Sequence, residues 1–152
     1  MPASAPVKIE PAARLRQTIA RLYRRLRVTD AGTAAGLTPA RASMLLNVER
    51  NGPMRLSRLA EDEAINPTML SRMVGDLVEA GLLERESDPA DRRAAWVQVT
   101  PEGGELARRI RGERTEAMNA ALSRCSATDR KAIRAALPAL ERLAEQLREE
   151  RP

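Results

Sequence analysis

The spacing of apolar side chains predicts a run of helices interrupted once by a hairpin. Leu15, Ile19, Leu22 and Leu26 recur at steps of four, three and four, which lays one stripe along a helix over about 11–29. Ala31-Gly32-Thr33-Ala34-Ala35-Gly36 then reads as a flexible connector. Ala42, Leu45, Leu46 and Val48 mark a helix over about 39–50 that stops at Asn51-Gly52-Pro53. Leu56, Leu59 and Ala60 mark a short one over about 55–63. Leu70, Met73, Val74, Leu77 and Val78 form the buried stripe of a helix over 67–80, closed by Gly81. The period then shortens to two. Leu82, Leu83 and Arg85 lie on one strand and Trp96-Val97-Gln98-Val99 on the next, with Val97 and Val99 on one face and Trp96 and Gln98 on the other. A long helix from 101 to about 123 follows, and a last one over about 129–149 is capped by Thr128 or Asp129.

Three pairs punctuate this pattern: Thr38-Pro39, Asn66-Pro67 and Thr100-Pro101. Each sets an N-capping side chain before a proline at the first helical position, where the missing N–H has no partner to lose. Helix starts are therefore expected near 39, 67 and 101. Gly103-Gly104 weakens the last of these by roughly 1 kcal/mol per glycine, which leaves its true start open. Pro138 is expected to kink or restart the final helix near Ala135.

A helix followed at once by a two-stranded ribbon is the layout of a winged helix-turn-helix. The expected class is mainly α (α+β), with double-stranded DNA as partner. At the start of the 67–80 helix, Asn66, Thr68, Ser71 and Arg72 are the candidate DNA-binding residues, and Met69 shares their polar face. Arg72 suits a bidentate grip on a guanine edge; Thr68 and Ser71 suit phosphate or base contacts. The ribbon tip, Asp88-Pro89-Ala90-Asp91-Arg92-Arg93, adds Arg92 and Arg93 for the backbone or minor groove. An anion there would be repelled by phosphates, so Asp91 is assigned to holding Arg92 or Arg93 in place. The bland readings are a solvated helix face and a turn charged only for solubility. The adjacency of the two favours DNA.

Composition narrows the classes further. In 152 residues, 43% are hydrophobic but only 1% aromatic, with no Phe, so the core must come from aliphatic residues packed as helices. No His and a single cysteine, Cys125, argue against a metal site, a disulfide framework and a catalytic constellation; no cofactor is expected. No apolar run approaches bilayer length and no secretory leader is recognisable, so a soluble cytoplasmic protein without membrane contact is expected. The net charge of +5 is unevenly spread. Residues 1–50 carry +6, residues 51–100 carry −3 and residues 101–152 carry +2. The reading segment is the acidic one, so local arginine placement must supply the DNA affinity.

The sequence at this point resembles the MarR (multiple antibiotic resistance regulator) family. The resemblance rests on Leu37-Thr38-Pro39, Leu45-Leu46, Gly52-Pro53, Leu56 to Ala60, Met69-Leu70-Ser71-Arg72-Met73-Val74, Leu77, Gly81-Leu82-Leu83-Glu84-Arg85, the Asp88 to Arg93 tip and Val99-Thr100-Pro101-Glu102-Gly103. It covers about 37–105 densely, and order and spacing carry it. It implies a homodimeric winged-helix repressor or activator that releases DNA on binding a small, often phenolic or anionic, effector. It also places Ser71 and Arg72 on the recognition helix, and Asp91 and Arg93 in the wing motif. Glu61-Asp62-Glu63-Ala64-Ile65 departs from the family pattern: three carboxylates near DNA lower affinity or face away.

Three segments are expected: a dimerising helix and connector in 1–36, the DNA-binding lobe in 37–100, and dimerising helices in 101–152. Ile133, Leu137, Leu140, Ala144 and Leu147 form a coiled-coil-like seam in the last segment, to be matched by the stripe of the first helix. The alternative is that both stripes pack on the monomer's own core. Tyr23 and Arg27, one turn apart, are the candidate ligand-binding pair for an anionic aromatic effector; ordinary core packing of Tyr23 is the competing reading. The arginines crowding the first helix, and Cys125 as a redox switch, are weighed against a solvated face and an incidental thiol. A helical protein-interaction adaptor without specific DNA binding stays open; salt-dependent DNA binding discriminates the two.

Overall fold

The computed structural model describes residues 10–88, 90–91 and 94–149. The chain divides into two compact units with the boundary after Thr115. The first holds α1 (Glu10–Leu26), α2 (Asp30–Ala34), α3 (Pro39–Asn51), β1 (Met54–Arg55), α4 (Leu56–Glu63), α5 (Pro67–Glu79), β2 (Leu83–Ser87), β3 (Ala95–Val99) and the start of α6 (Pro101–Ser123). The second holds the rest of α6 and α7 (Ala127–Glu149).

The three proline-marked starts are capped as their chemistry dictates. Thr38 Oγ1 accepts from the Arg41 N–H at 3.3 Å, Asn66 Oδ1 from the Met69 N–H at 2.9 Å and Thr100 Oγ1 from the Gly103 N–H at 3.0 Å. Thr100 Oγ1 also donates to the Gly81 carbonyl at 2.7 Å, tying the end of the α5 turn to the start of α6. The glycine pair does not delay that start. A Cβ on Gly103 would lie 1.9 Å from the Leu82 carbonyl oxygen, so glycine is what lets α6 begin against the hairpin.

Met44, Leu45, Leu59, Leu70, Val74, Leu77, Leu83, Val97 and Ile110 are fully buried in one aliphatic core. Each buried side chain of this kind contributes about 1.5–3 kcal/mol relative to an exposed one. The core fixes α5 against α3, α4 and β2 by the α5 stripe, leaving the opposite face of α5 outward. The sheet is antiparallel in the order β1-β3-β2. Met54 pairs with Val97, Arg55 with Trp96 and Leu83 with Val99.

Several sequence expectations are corrected. The connector is not simply flexible: residues 30–34 form α2, because Thr29 caps it through the Gly32 N–H at 3.2 Å and Glu113 accepts from the Ala31 N–H at 3.1 Å. That cap ends α1 at Leu26 instead of about 29. Met54–Arg55 form a third strand, displacing the expected start of α4 to Leu56. The cap of α7 is Ser126, whose Oγ accepts from the Asp129 N–H at 3.0 Å and donates to the Asp129 carboxylate at 2.7 Å. Pro138 lies inside a continuous α7, which the strong helix formers on both sides carry across the lost backbone bond.

Candidate nucleic-acid interface

The Asn66 cap fixes the direction of the first α5 turn, and the core fixes its rotation. Leu70, Val74 and Leu77 are buried, so Thr68, Met69 and Arg72 emerge on the exposed side of the same helix. None of the ion pairs among the described residues uses Arg72, which leaves its planar guanidinium presentable to a base edge. Ser71 is half-buried, and its hydroxyl accepts a long hydrogen bond from Arg85 Nη1 at 3.5 Å. Its nearest role is thus to link α5 to β2. Asn66 is exposed, with its side-chain oxygen committed to the cap.

The hairpin is braced where its strands enter the tip by Asp88, only 7% exposed. Asp88 Oδ1 accepts from the Ala90 N–H at 2.9 Å; Oδ2 accepts from Arg55 Nη2 at 2.9 Å and from Trp96 Nε1 at 3.1 Å. The Ala90 N–H and the Trp96 indole hold the Asp88 carboxyl below the usual carboxylate range against the opposing effect of burial, with help from Arg55 and the Asp91 N–H. The Arg55 guanidinium also sits over the Trp96 ring, 5.6 Å from its centroid. The Ala94 N–H closes the tip on the Asp91 carbonyl at 2.8 Å. Pro89, Arg92 and Arg93 lie outside the described residues, so the assignments of Arg92 and Arg93 to DNA, and of Asp91 to holding them, gain no geometry here.

Two of the three unusual carboxylates are engaged within the lobe. Asp62 pairs with Arg58 at 3.1 Å, and Glu63 accepts from Asn47 Nδ2 at 2.8 Å. Tyr23, in the last turn of α1, and Arg27, just past its end, are both exposed, and the Arg27 carbonyl accepts from Arg114 Nη2 at 3.2 Å. Cys125 is half-buried. Among the described residues, no cluster of three potential metal ligands occurs, and no helix is long and apolar enough to cross a membrane.

Sequence reasoning missed Arg55, Arg85 and the bracing role of Asp88. Arg85 was visible as a strand residue, but its approach to Ser71 depends on how β2 meets α5. Arg55 belongs to a strand too short to show a period.

A capped outward-facing helix, a preceding helix joined to it by a tight turn, and a braced antiparallel ribbon define a winged helix-turn-helix. The MarR family model matches residues 37–95. An uncharacterized HTH-type transcriptional regulator of Mycobacterium leprae is 30% identical over 105 residues, covering 69% of this chain and 72% of the relative. The crystal structure of NadR in complex with 4-hydroxyphenylacetate has a TM-score of 0.75 at 22% identity, over 99% of this chain and 100% of that one. A MarR family transcriptional regulator from Streptomyces coelicolor, solved in complex with DNA, has a TM-score of 0.64 at 22% identity, over 93% and 90% of the two chains. The chain belongs to the MarR family, and its function is DNA-binding regulation of transcription.

Proposed function

We propose that the protein binds a pseudo-palindromic operator as a homodimer and represses by occupying it. Each copy would set α5 in the major groove through Asn66, Thr68, Ser71 and Arg72, with Asp91, Arg92 and Arg93 of the wing beside it. The single observation that carries this reading is the outward Thr68–Arg72 face on a helix whose other face is locked into the core. Dimerisation is supported by two apolar surfaces on separate elements. α1 exposes Ile19, Leu22 and Tyr23, and α7 exposes Ile133, Leu137, Leu140 and Leu147. Such surfaces call for cover, and a second copy brought by a two-fold axis supplies it. The segments 1–36 and 101–152 then serve the dimer and 37–100 serves DNA, with half-sites about one turn, 34–36 Å, apart.

Release by a small phenolic or anionic ligand belongs to the same proposal. The 4-hydroxyphenylacetate of NadR is a phenol bearing a carboxylate. Tyr23 and Arg27 offer an aromatic ring and a guanidinium to such a molecule.

The test is selection of duplexes from a random pool with purified protein, followed by sedimentation and salt titration. A dimer, a palindromic consensus and steep salt dependence are expected. Arg72→Ala should lose about 1–3 kcal/mol at one base pair per half-site and relax specificity there. Arg93→Ala should weaken binding to all sequences and lower the salt slope by about one. A monomer with no preference among duplexes would overturn the proposal.

A further inference from the structure

Met69 is 55% exposed, a large apolar side chain in the midst of the polar face formed by Thr68 and Arg72. Packing does not explain it. The apolar stripe of α5 is complete in Leu70, Val74 and Leu77, with Met73 and Val78 packed at its margins. The Met69 backbone is held all the same, because its N–H is the one that Asn66 Oδ1 accepts at 2.9 Å. A fixed backbone thus presents an adaptable thioether on the same face as a guanidinium that no ion pair among the described residues uses.

The major groove offers polar base edges and one apolar group, the C5-methyl of thymine. We propose that Met69 is a specificity-determining residue that packs against a thymine methyl in each half-site. The inference rests on α5 being the recognition helix. Met69 and Arg72 are three residues apart, about 4.5 Å along the helix axis. Base pairs repeat about every 3.4 Å along a strand. The thymine therefore lies within one or two base pairs of the guanine gripped by Arg72.

Replacing single thymines of the selected operator by deoxyuridine removes the methyl group and nothing else. The wild type should lose about fourfold in affinity at one thymine per half-site, the factor that burial of one methyl-sized group supplies. Met69→Ala should bind the thymine and deoxyuridine duplexes equally at that position, and Met69→Leu should keep the preference. Uniform tolerance of deoxyuridine by the wild type would overturn the assignment, as would an undiminished preference in Met69→Ala. Failure of the wild type to select any duplex would be a separate result, ending the recognition-helix reading and this inference with it.

Discussion

Asp88 and Trp96 meet at the tip end of the hairpin, the indole Nε1 donating to the Asp88 carboxylate at 3.1 Å. The same oxygen accepts from Arg55, whose guanidinium covers the Trp96 ring. One carboxylate thus joins β1, β3 and the start of the tip. Trp96 is the sole tryptophan, so its emission reports on this brace. Asp88→Ala should shift Trp96 emission to the red, raise its quenching by acrylamide and weaken operator binding, with far-UV circular dichroism unchanged. Asp88→Asn, which keeps one acceptor oxygen, should fall between. Unchanged emission and affinity would show that the wing holds its shape without this contact.

Stability should depend on pH through two depressed carboxylates. Arg111 donates to Glu49 at 2.7 and 2.9 Å, and this hydrogen bonding holds the Glu49 carboxyl below its ordinary range against desolvation, aided by the charges of Arg111, Arg108 and Arg50. Asp88 is lowered as well. A group with a depressed folded value binds fewer protons in the folded state, so its stabilisation is complete above the unfolded value, about 4. It is lost as pH falls through the folded value. Thermal midpoints should therefore be level near neutrality and fall on acidification below about pH 4. Glu49→Gln should flatten part of that fall.

What could be read in the sequence was what is encoded locally. A threonine or asparagine before proline caps its own helix, so the starts of α3, α5 and α6 were legible, and the α5 stripe showed which face turns outward. β1 was not, because two residues carry no alternation and Met54 and Arg55 are strand only through Val97 and Trp96. The short α2 owes its order to Glu113, 82 positions away. The partners of Asp88 had the same obstacle, since Arg55 is 33 positions off and nothing local marks the pair.

Adjacent glycines at the start of α6 should respond to alanine with opposite signs. On Gly103 the added Cβ meets backbone, the Leu82 carbonyl, which cannot move without disturbing the hairpin. Gly103→Ala should destabilise by about 1–3 kcal/mol net of its better helix propensity. On Gly104 the Cβ would make an ordinary contact with Val99 Cγ2 at 3.8 Å. Gly104→Ala should gain up to about 1 kcal/mol. Urea unfolding of both variants checks this, and equal effects would contradict the geometry.

The turn between α4 and α5 carries a removable strain. Ala64 sits at φ 54° and ψ 42°, in the left-handed region, while the Ile65 N–H wraps back to the Ala60 carbonyl at 3.1 Å. Glycine is the usual residue at this point of a Schellman turn, because a Cβ there crowds the following carbonyl. Relief of that crowding outweighs the extra freedom glycine gives the unfolded chain. Ala64→Gly should therefore stabilise the fold by about 0.5–1 kcal/mol. For a chain of this size that raises the thermal midpoint by roughly 1–4 °C. Calorimetry on the two proteins decides it: a lower midpoint for Ala64→Gly would mean that the Ala64 methyl group holds the helix-turn-helix by packing and that the backbone strain is the smaller term.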